Sequence, residues 1–206
     1  MSIITVSREF GSGGREVGKR LADELGYSYY DREIVTAIAQ KTQLDEGYVA
    51  SALEGGMFRG APVHFGRTFS YSASFVSGAT NLFVEQHKII RELAARGNCV
   101  IVGRAADAIL EEYKPFNLFV YAHMEAKVKR CMDRAPEGEQ LSEREMIRHI
   151  KKVDADRAKY YEMFSDTRWG VKEGYHLCVN TTGANIKALV PVIAQYAREW
   201  IKSNQK

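Results

Sequence analysis

The chain opens with a short β-branched run, a glycine-rich turn and an amphipathic segment. Residues 3–6 read Ile-Ile-Thr-Val, which is typical of a strand buried on both faces. Glycine dominates residues 11–14, and Val17, Leu21 and Leu25 then recur every four residues, as on one face of a helix. A strand, a glycine loop and a helix in this order form a phosphate cradle, because the loop amides and the positive end of the helix dipole face one anion. The opening therefore predicts a βα unit with an anion-binding turn.

The sequence of the turn differs from that of the standard phosphate loop, G-x-x-x-x-G-K-[ST]. With Gly13 as the second glycine of that pattern, Arg8 stands at the first glycine, Gly14 at the lysine and Arg15 at the Ser/Thr. Two interpretations remain open at this point. Either this is a variant loop in which Arg15 or Arg8 supplies the missing cation, or it is a glycine-rich βα turn without a ligand.

The rest of the chain alternates helical and strand-like segments. Predicted helices cover residues 14–25, 32–41, 82–96, 105–113, 124–134, 142–160 and 186–201. Predicted strands cover residues 3–6, 27–31, 99–102, 117–122 and 175–180. This alternation indicates an α/β fold with a five-stranded parallel sheet flanked by helices, in a single domain over residues 1–206.

Candidate binding residues follow two of the predicted strands. Asp31 and Arg32 come at the end of the second strand, where doubly wound sheets bind ligands. The alternative role of Asp31 is to cap the next helix. Arg104 follows the strand at 99–102, a good place for a guanidinium to meet a phosphate. The alternative for Arg104 is an ion pair with a structural carboxylate such as Asp107.

Residues 42–80 lack clear periodicity and mix glycine, serine and aromatic residues with cations. A segment of this length inside a compact domain is usually a lid or a binding lobe. Rings such as that of Tyr71 can stack on a base while Arg59 and Arg67 pair with a phosphate, so we interpret the segment as an inserted substrate-binding lobe. The alternative is a loosely packed insertion with a dimer surface.

Residues 124–160 contain two basic helical segments separated by a Pro/Gly break at 136–139. Arg130 and Arg134 lie on the first segment and Arg157 on the second. We interpret this region as a hinged lid, whose closure brings cations over a transferring phosphoryl group and excludes water. The alternative is a solvated charged hairpin, since acidic residues are mixed in.

Composition excludes several other classes of protein. A net charge of only +3 over 206 residues, with Lys and Arg spread along the chain, argues against binding to a nucleic-acid polymer. Three cysteines without a close pair suggest neither a zinc site nor a disulfide framework. The sequence shows no signal-peptide pattern and no apolar run of transmembrane length, so we expect a cytoplasmic protein without membrane contact, a monomer or a homodimer.

The order of these parts resembles the nucleoside monophosphate kinases, and most closely the cytidylate kinase-like proteins. The resemblance extends over nearly the whole chain. Its most specific pieces are the run at 7–16, Tyr30-Asp31, Val102-Gly103-Arg104 and the run at 154–157. It implies transfer of a phosphoryl group from ATP, with Mg²⁺, to a nucleoside monophosphate such as CMP or dCMP.

The resemblance and the residue patterns together assign roles to named positions. The ATP-binding residues expected are Arg8, Gly11, Ser12, Gly13, Gly14, Arg15, Glu16, Thr181 and Thr182. The acceptor-binding residues expected are Asp31, Arg32, Arg59, Arg67, Tyr71 and Arg104. The residues expected to stabilise the phosphoryl charge during transfer are Arg15, Arg104, Arg130, Arg134 and Arg157.

Three departures from the family pattern leave alternatives open. The loop lysine is missing, the loop Ser/Thr that would bind Mg²⁺ is missing, and Ala105 stands where the family has the Asp of Gly-Arg-Asp. Glu16 is the candidate to take over part of the metal role, directly or through water. The alternatives are a non-catalytic nucleotide-binding sensor or interaction module, or a kinase for another small hydroxyl acceptor.

Overall fold

The computed structural model describes residues 2–53, 72–136 and 141–204. Its five strands are β1 (Ile3–Arg8), β2 (Ser28–Tyr30), β3 (Cys99–Val102), β4 (Phe116–Tyr121) and β5 (Leu177–Asn180). Its α-helices are α1 (Gly14–Leu25), α2 (Arg32–Thr42), α3 (Glu46–Leu53), α4 (Ser72–Ala95), α5 (Ala106–Ile109), α6 (Met124–Asp133), α7 (Glu143–Glu162) and α8 (Ile186–Asn204). Short 3₁₀ turns lie at Glu111–Tyr113 and Lys172–Gly174.

The strands form one parallel sheet in the order β2-β3-β1-β4-β5, which confirms the predicted α/β fold. Strand β1 lies at the centre, between β3 and β4, and all six of its residues are buried. The carboxyl ends of β1 and β3 are therefore neighbours, at the edge where parallel sheets bind their ligands. The glycine loop, residues 9–13, leaves this edge from β1.

Helices cover both faces of the sheet. Successive side chains of β1 point to opposite faces, so Ile3 packs with α2, α3 and α4, whereas Ile4 and Val6 pack with α1 and α8. The first layer buries Ile34, Ile38, Val49, Leu82 and Ile90, and the second buries Val17, Leu21, Val190, Ile193 and Ala197. Each layer thus fixes one side of the strand that carries the glycine loop.

Helices α6 and α7 pack against each other and against the glycine loop. Val128 of α6 and Ile150 of α7 are buried in a small cluster that includes Phe10 of the loop. Lys127 is also buried here, with its ammonium 3.0 Å from Glu9 and 3.1 Å from Asp154. The predicted lid helices are therefore held against the loop by both apolar contact and ion pairs.

The start of α7 has the capping box that its sequence predicts. The Ser142 hydroxyl accepts a hydrogen bond from the Glu145 amide at 3.4 Å, and the Glu145 carboxylate accepts one from the Ser142 amide at 3.0 Å. Replacing Ser142 by Ala is expected to lower the free energy of unfolding by about 1 kcal/mol, since a helix amide loses its acceptor. Urea denaturation measures this. The exposed Ser203→Ala on α8 is the control, and an equal loss in both variants would contradict the capping role.

Three predicted boundaries are wrong. The helix expected over 105–113 is only the single turn of α5 followed by a 3₁₀ turn, and it begins after Ala105 because Arg104 and Ala105 are in the left-handed region. Helix α4 begins at Ser72 rather than near 82, and α3 lies in a stretch where no element was predicted. Both fall within 42–80, where glycine and aromatic residues obscure the helical period. None of the helices in the described ranges combines the length and apolarity needed to span a membrane.

Candidate functional site

The glycine loop contains positions that only glycine suits. Gly11 and Gly13 have φ values of 74° and 81°, in the left-handed region that side chains disfavour. A Cβ on Gly11 would also lie 2.8 Å from the Cys131 sulfur, and one on Gly13 would overlap Ile186. Helices α6 and α8 can therefore approach the loop closely, and Gly13 leads directly into the amino end of α1. The predicted order of strand, glycine loop and helix is therefore present, and the binding of an anion there stays a prediction.

Side chains from distant elements fix the loop backbone. The Ser12 hydroxyl donates to the Glu9 carbonyl at 2.8 Å, and the Thr181 hydroxyl donates to the Ser12 carbonyl at 2.6 Å. Arg130 of α6 donates to the carbonyls of Gly11 and Thr181. Arg130, predicted to share the phosphoryl charge, and Thr181, predicted to contact ATP, are thus brought to the loop, where they hold its backbone in place.

Glu16, on the first turn of α1, is engaged by two arginines. Its carboxylate accepts from Arg20 at 3.0 Å and from Arg134, at the end of helix α6, at 2.7 Å. Burial favours the neutral acid, but the two guanidinium groups outweigh this and hold the pKa of Glu16 below its ordinary value. Arg134 therefore lies beside the first turn of α1 and occupies one oxygen of the carboxylate proposed for the metal, and its role in sharing the phosphoryl charge stays a prediction.

Asp31 lies at the end of β2 and is buried, with 4% of its surface exposed. Its Oδ2 is 2.7 Å from the Arg15 Nε, and its Oδ1 is 3.9 Å from the Arg8 Nη2. Although Asp31 occupies the cap position of α2, its side chain makes no capping hydrogen bond. The carboxylate is thus directed to the loop arginines, which favours the binding interpretation over capping alone.

A cavity of about 350 Å³ lies beside these residues, between the ends of β1 and β3 and helix α7. Its lining includes three arginines and three aromatic residues, Arg8, Arg104, Arg157, Tyr160, Tyr161 and Trp169. Guanidinium groups suit phosphate and carboxylate oxygens, and rings suit a planar base. The cavity therefore has the chemistry for an anionic, aromatic small molecule.

Arg104 reaches the cavity from an unusual turn. Gly103, Arg104 and Ala105 have φ values of 75°, 62° and 49°, so three consecutive residues are left-handed before α5 begins. Left-handed backbone at a non-glycine residue costs about 1–3 kcal/mol and persists where surrounding contacts impose it. The side-chain amide of Gln86, on α4, donates hydrogen bonds to the Arg104 carbonyl and to the Tyr160 hydroxyl. The turn thus places a largely buried guanidinium next to Tyr160.

Arg8, the last residue of β1, is surrounded by like charge. Burial lowers its pKa first, and Arg157, Arg104 and Arg15 lower it further, to about 9, while Asp31 partly opposes them. Arg157 also donates to the Arg8 carbonyl at 3.1 Å. The cavity therefore has an excess of positive charge that a bound anion would relieve.

Other predicted residues lie away from this cavity or outside the described part of the chain. Arg32 is exposed on α2, and Thr182 is exposed with its hydroxyl accepting from the His123 amide at 2.8 Å. The predictions for Arg59, Arg67 and Tyr71 fall outside the described residues. No group of three or more metal-ligating side chains occurs within the described ranges.

Some residues of the site carried no sequence signal. In the sequence, Lys127 is only one of several cations on a basic helix. In the structure, it forms ion pairs with both Glu9 and Asp154 beneath the loop. Trp169 lies in a stretch without a predicted element, yet it lines the cavity. Pairings of this kind depend on tertiary contacts between residues far apart in the chain, which spacing does not reveal.

Asp107, on α5, is a buried carboxyl behind the cavity, with 5% of its surface exposed. Burial raises its pKa to about 6, although the Tyr161 hydroxyl and nearby backbone amides partly offset this. Since the folded pKa exceeds the unfolded value, the contribution of Asp107 to stability is highest in acid and falls as the pH rises through about 6.

We expect the wild-type protein to lose about 3 kcal/mol of unfolding free energy relative to Asp107→Asn between pH 4 and pH 7. The amide keeps the shape of the carboxyl but does not ionise. Urea denaturation of both proteins across this range measures the difference, with Asp23→Asn, an exposed position, as the control. Parallel pH profiles for the wild type and Asp107→Asn would contradict the assignment.

The fold is one that several solved structures share. A shikimate kinase from Bacteroides thetaiotaomicron matches with a TM-score of 0.56 at 14% identity, covering 98% of each chain. A shikimate kinase from Acinetobacter baumannii, solved with shikimate, matches with a TM-score of 0.53 at 17% identity, covering 100% of this chain and 96% of that one. These similarities show a fold shared with small-molecule kinases.

Sequence comparison gives the family. The model of the cytidylate kinase-like family matches residues 3–183, so the chain belongs to that family. An uncharacterised protein from Eubacterium ventriosum has the same fold, with a TM-score of 0.69 at 23% identity, covering 96% of this chain and 99% of that one. No curated protein has a significant sequence match. Membership in a kinase family supports phosphoryl transfer as the general chemistry.

Proposed function

We propose that this protein transfers the γ-phosphoryl group of ATP to a nucleoside monophosphate, with a pyrimidine nucleotide such as CMP or dCMP as the acceptor. The glycine loop would hold the ATP phosphates. The cavity beside it would hold the acceptor. Family membership supports the reaction type, and the lining of the cavity supports the acceptor class.

The observation that carries the proposal is the excess positive charge in the cavity. Arg8, Arg104 and Arg157 line it together with one carboxylate, Asp156, and the pKa of Arg8 is lowered first by burial and then by the neighbouring arginines. A ligand group with more than one negative charge would complement three arginines in one cavity. A phosphate monoester fits this requirement, and the rings of Tyr160, Tyr161 and Trp169 offer contact for its base.

The proposed reaction needs little covalent chemistry from the protein. An oxygen of the acceptor phosphate forms a bond to the γ-phosphorus while the bond from that phosphorus to the β,γ-bridging oxygen breaks. The products are ADP and a nucleoside diphosphate. The attacking oxygen is already ionised, so no general base is needed. The arginines would align the two phosphates and share the charge that spreads over the transferring group.

Magnesium would enter with ATP and be held mainly by its phosphates and water, as Mg²⁺ usually is. Among the described residues, Asp31 offers a suitable oxygen close to Arg8 of the cavity. The Oδ1 of Asp31 is buried and has no hydrogen-bond partner among the described residues, so it fits a direct or water-mediated contact. Glu16 fits less well, because each of its carboxylate oxygens accepts a hydrogen bond from an arginine, whereas the Asp31 Oδ1 has only the 3.9 Å contact with Arg8. When bound, the ion would neutralise charge on the β- and γ-phosphates.

The test is a coupled ADP-release assay with purified full-length protein, ATP and Mg²⁺. The acceptors are CMP, dCMP, UMP, AMP and GMP, with cytidine as a control that lacks the phosphate. Turnover with CMP or dCMP and not with cytidine is the expected result. No turnover with any nucleoside monophosphate would refute the proposal.

Two other functions remain candidates because specific observations favour them. The loop lacks its lysine, which suits a nucleotide-binding sensor, and calorimetry would then show ATP binding without turnover. The fold is shared with shikimate kinases, which suits a hydroxyl acceptor. Turnover with shikimate but not with nucleoside monophosphates would favour that second function.

A further inference from the structure

The two positions that flank the glycine loop carry each other's kind of residue when compared with the standard phosphate loop. The standard loop has glycine at the first position and lysine at the position after the second glycine. Here the first position is Arg8 and the lysine position is Gly14. In the folded chain the two positions touch. A Cβ on Gly14 would lie 2.9 Å from the Arg8 Cγ, and closer still to the Arg8 Cβ. Only one of them can therefore carry a large side chain.

The far end of Arg8 is accommodated in the same way. A Cβ on Gly103 would lie 2.7 Å from the Arg8 Cζ, and closer still to Nη1. The stem of Arg8 thus lies over Gly14 and its guanidinium lies over Gly103. Because Gly14 at the start of α1 and Gly103 after β3 have no side chains, they leave a channel that Arg8 occupies.

The channel holds Arg8 at the mouth of the cavity with its charge only partly compensated. Arg8 has 9% of its surface exposed, and its Nε has no hydrogen-bond partner among the described residues. Its ion pair with Asp31 is long, at 3.9 Å. A buried guanidinium with spare donors at the edge of a phosphate loop is well placed to receive the oxygens of a phosphate.

Arg15 is the competing candidate for the missing cation, and the structure gives it a different partner. Its Nε lies 2.7 Å from the Asp31 Oδ2, and 48% of its side chain is exposed. A guanidinium already paired with a carboxylate and largely in water contributes less to a phosphate contact than a buried one with free donors.

We propose that Arg8 replaces the loop lysine as the cation that contacts the terminal phosphate of ATP, and that Gly14 and Gly103 are glycines because Arg8 occupies their side-chain space. This inference rests on the proposed function for its catalytic consequence. Its binding consequence stands without an acceptor. The guanidinium reaches the phosphate from the end of β1, whereas the usual lysine reaches it from the first turn of the helix.

Variants that restore glycine at position 8 and lysine at position 14 test whether Arg8 replaces the loop lysine. The variants are Arg8→Gly, Gly14→Lys and the double variant R8G/G14K, which restores the standard positions. Arg8→Gly is expected to weaken ATP binding and to lower kcat/KM for ATP by about 100-fold, the scale for loss of one preorganised charge contact. Gly14→Lys alone is expected to fail as well, because the new side chain overlaps Arg8. The double variant is expected to recover to within about tenfold of wild type, since lysine then has the position of the standard loop and only the Val120 Cβ, at 3.3 Å, stays close to its Cβ.

Several results would overturn the inference. ATP affinity and turnover of Arg8→Gly within twofold of wild type would do so, as would a double variant no better than Arg8→Gly. A large loss in Arg15→Met with none in Arg8→Gly would assign the role to Arg15 instead. Arg8→Lys, which keeps a charge and avoids added backbone freedom, separates loss of the cation from loss of fold. Lys19→Met on the exposed face of α1 controls for net charge.

The design separates this inference from the proposed function. If the wild-type protein turns over no acceptor, the proposed function fails, and calorimetric titration with ATP and Mg²⁺ still ranks the four loop sequences. Equal ATP affinity across wild type, Arg8→Gly and the double variant, or no ATP binding by the wild type, would then reject Arg8 as the phosphate contact.

Discussion

Replacing Lys127 by Met is expected to lower the free energy of unfolding by about 3–5 kcal/mol, the usual cost of removing one partner from a buried ion pair. Lys127 has 4% of its surface exposed and bridges Glu9 of the loop to Asp154 of α7, at 3.0 and 3.1 Å. Without the ammonium, the Glu9 and Asp154 carboxylates would face each other, and only Arg157, 3.6 Å from Asp154, would remain as a nearby cation. Methionine keeps the length and apolar volume of the stem, so the change isolates the charge.

The matched control is Lys129→Met, two residues along the same helix and exposed. It is expected to change the unfolding free energy by about 0.5 kcal/mol or less, as for most surface substitutions. Urea denaturation of both variants at neutral pH measures the two effects. Similar small losses in both would show that solvent compensates Glu9 and Asp154, against the burial described above.

Replacing Arg104 by Met is expected to lower kcat/KM for the nucleoside monophosphate by about 100- to 1000-fold, while changing ATP affinity much less. Arg104 is largely buried, lines the cavity and lies beside Tyr160 on the acceptor side of the loop. Its loss would remove the charge contact that we propose for the acceptor phosphate. Lysine at this position is expected to recover only part of the rate, because it cannot form two parallel hydrogen bonds.

Arg96→Met, at an exposed position near the end of α4, matches the change in net charge and is expected to leave the rate unchanged. Initial rates with ATP saturating and CMP varied give kcat/KM for each variant. Because arginine and methionine both carry an unbranched stem at this left-handed position, the wild type and Arg104→Met should have similar thermal unfolding profiles. A loss confined to the KM for ATP would place Arg104 on the donor side and contradict this assignment.

Much of the fold could be predicted because the spacing of apolar residues along the sequence indicates which faces of the helices and strands are buried. The β-branched runs at 3–6 and 99–102 form adjacent buried strands, and the Ser142 capping box begins α7 as its letters indicate. The left-handed run after β3 could not be predicted, since Arg104 and Ala105 have no local preference for positive φ. Tertiary contacts impose that conformation, and sequence spacing does not encode them.

The site was predictable in outline and not in its pairings. Residue types placed Asp31 and Arg104 at strand ends, because parallel strands end at one edge of a sheet. The choice between Arg8 and Arg15 as the loop cation stayed open in the sequence. The contacts of Arg8 with Gly14 and Gly103 span up to 95 residues of chain, and only the folded structure brings them together.

Helix α7 has a consequence for how the two substrates of the proposed reaction affect each other. Its Asp154 accepts a hydrogen bond from the Phe10 amide of the loop at 2.6 Å, while its Arg157 and Tyr160 line the acceptor cavity. Ligands that favour the same position of one helix are thermodynamically linked, so each raises the affinity for the other by an equal factor. If ATP and the acceptor favour the same position of α7, the protein would hold ATP more firmly once the acceptor is bound, and this would limit the time in which water can take the phosphoryl group.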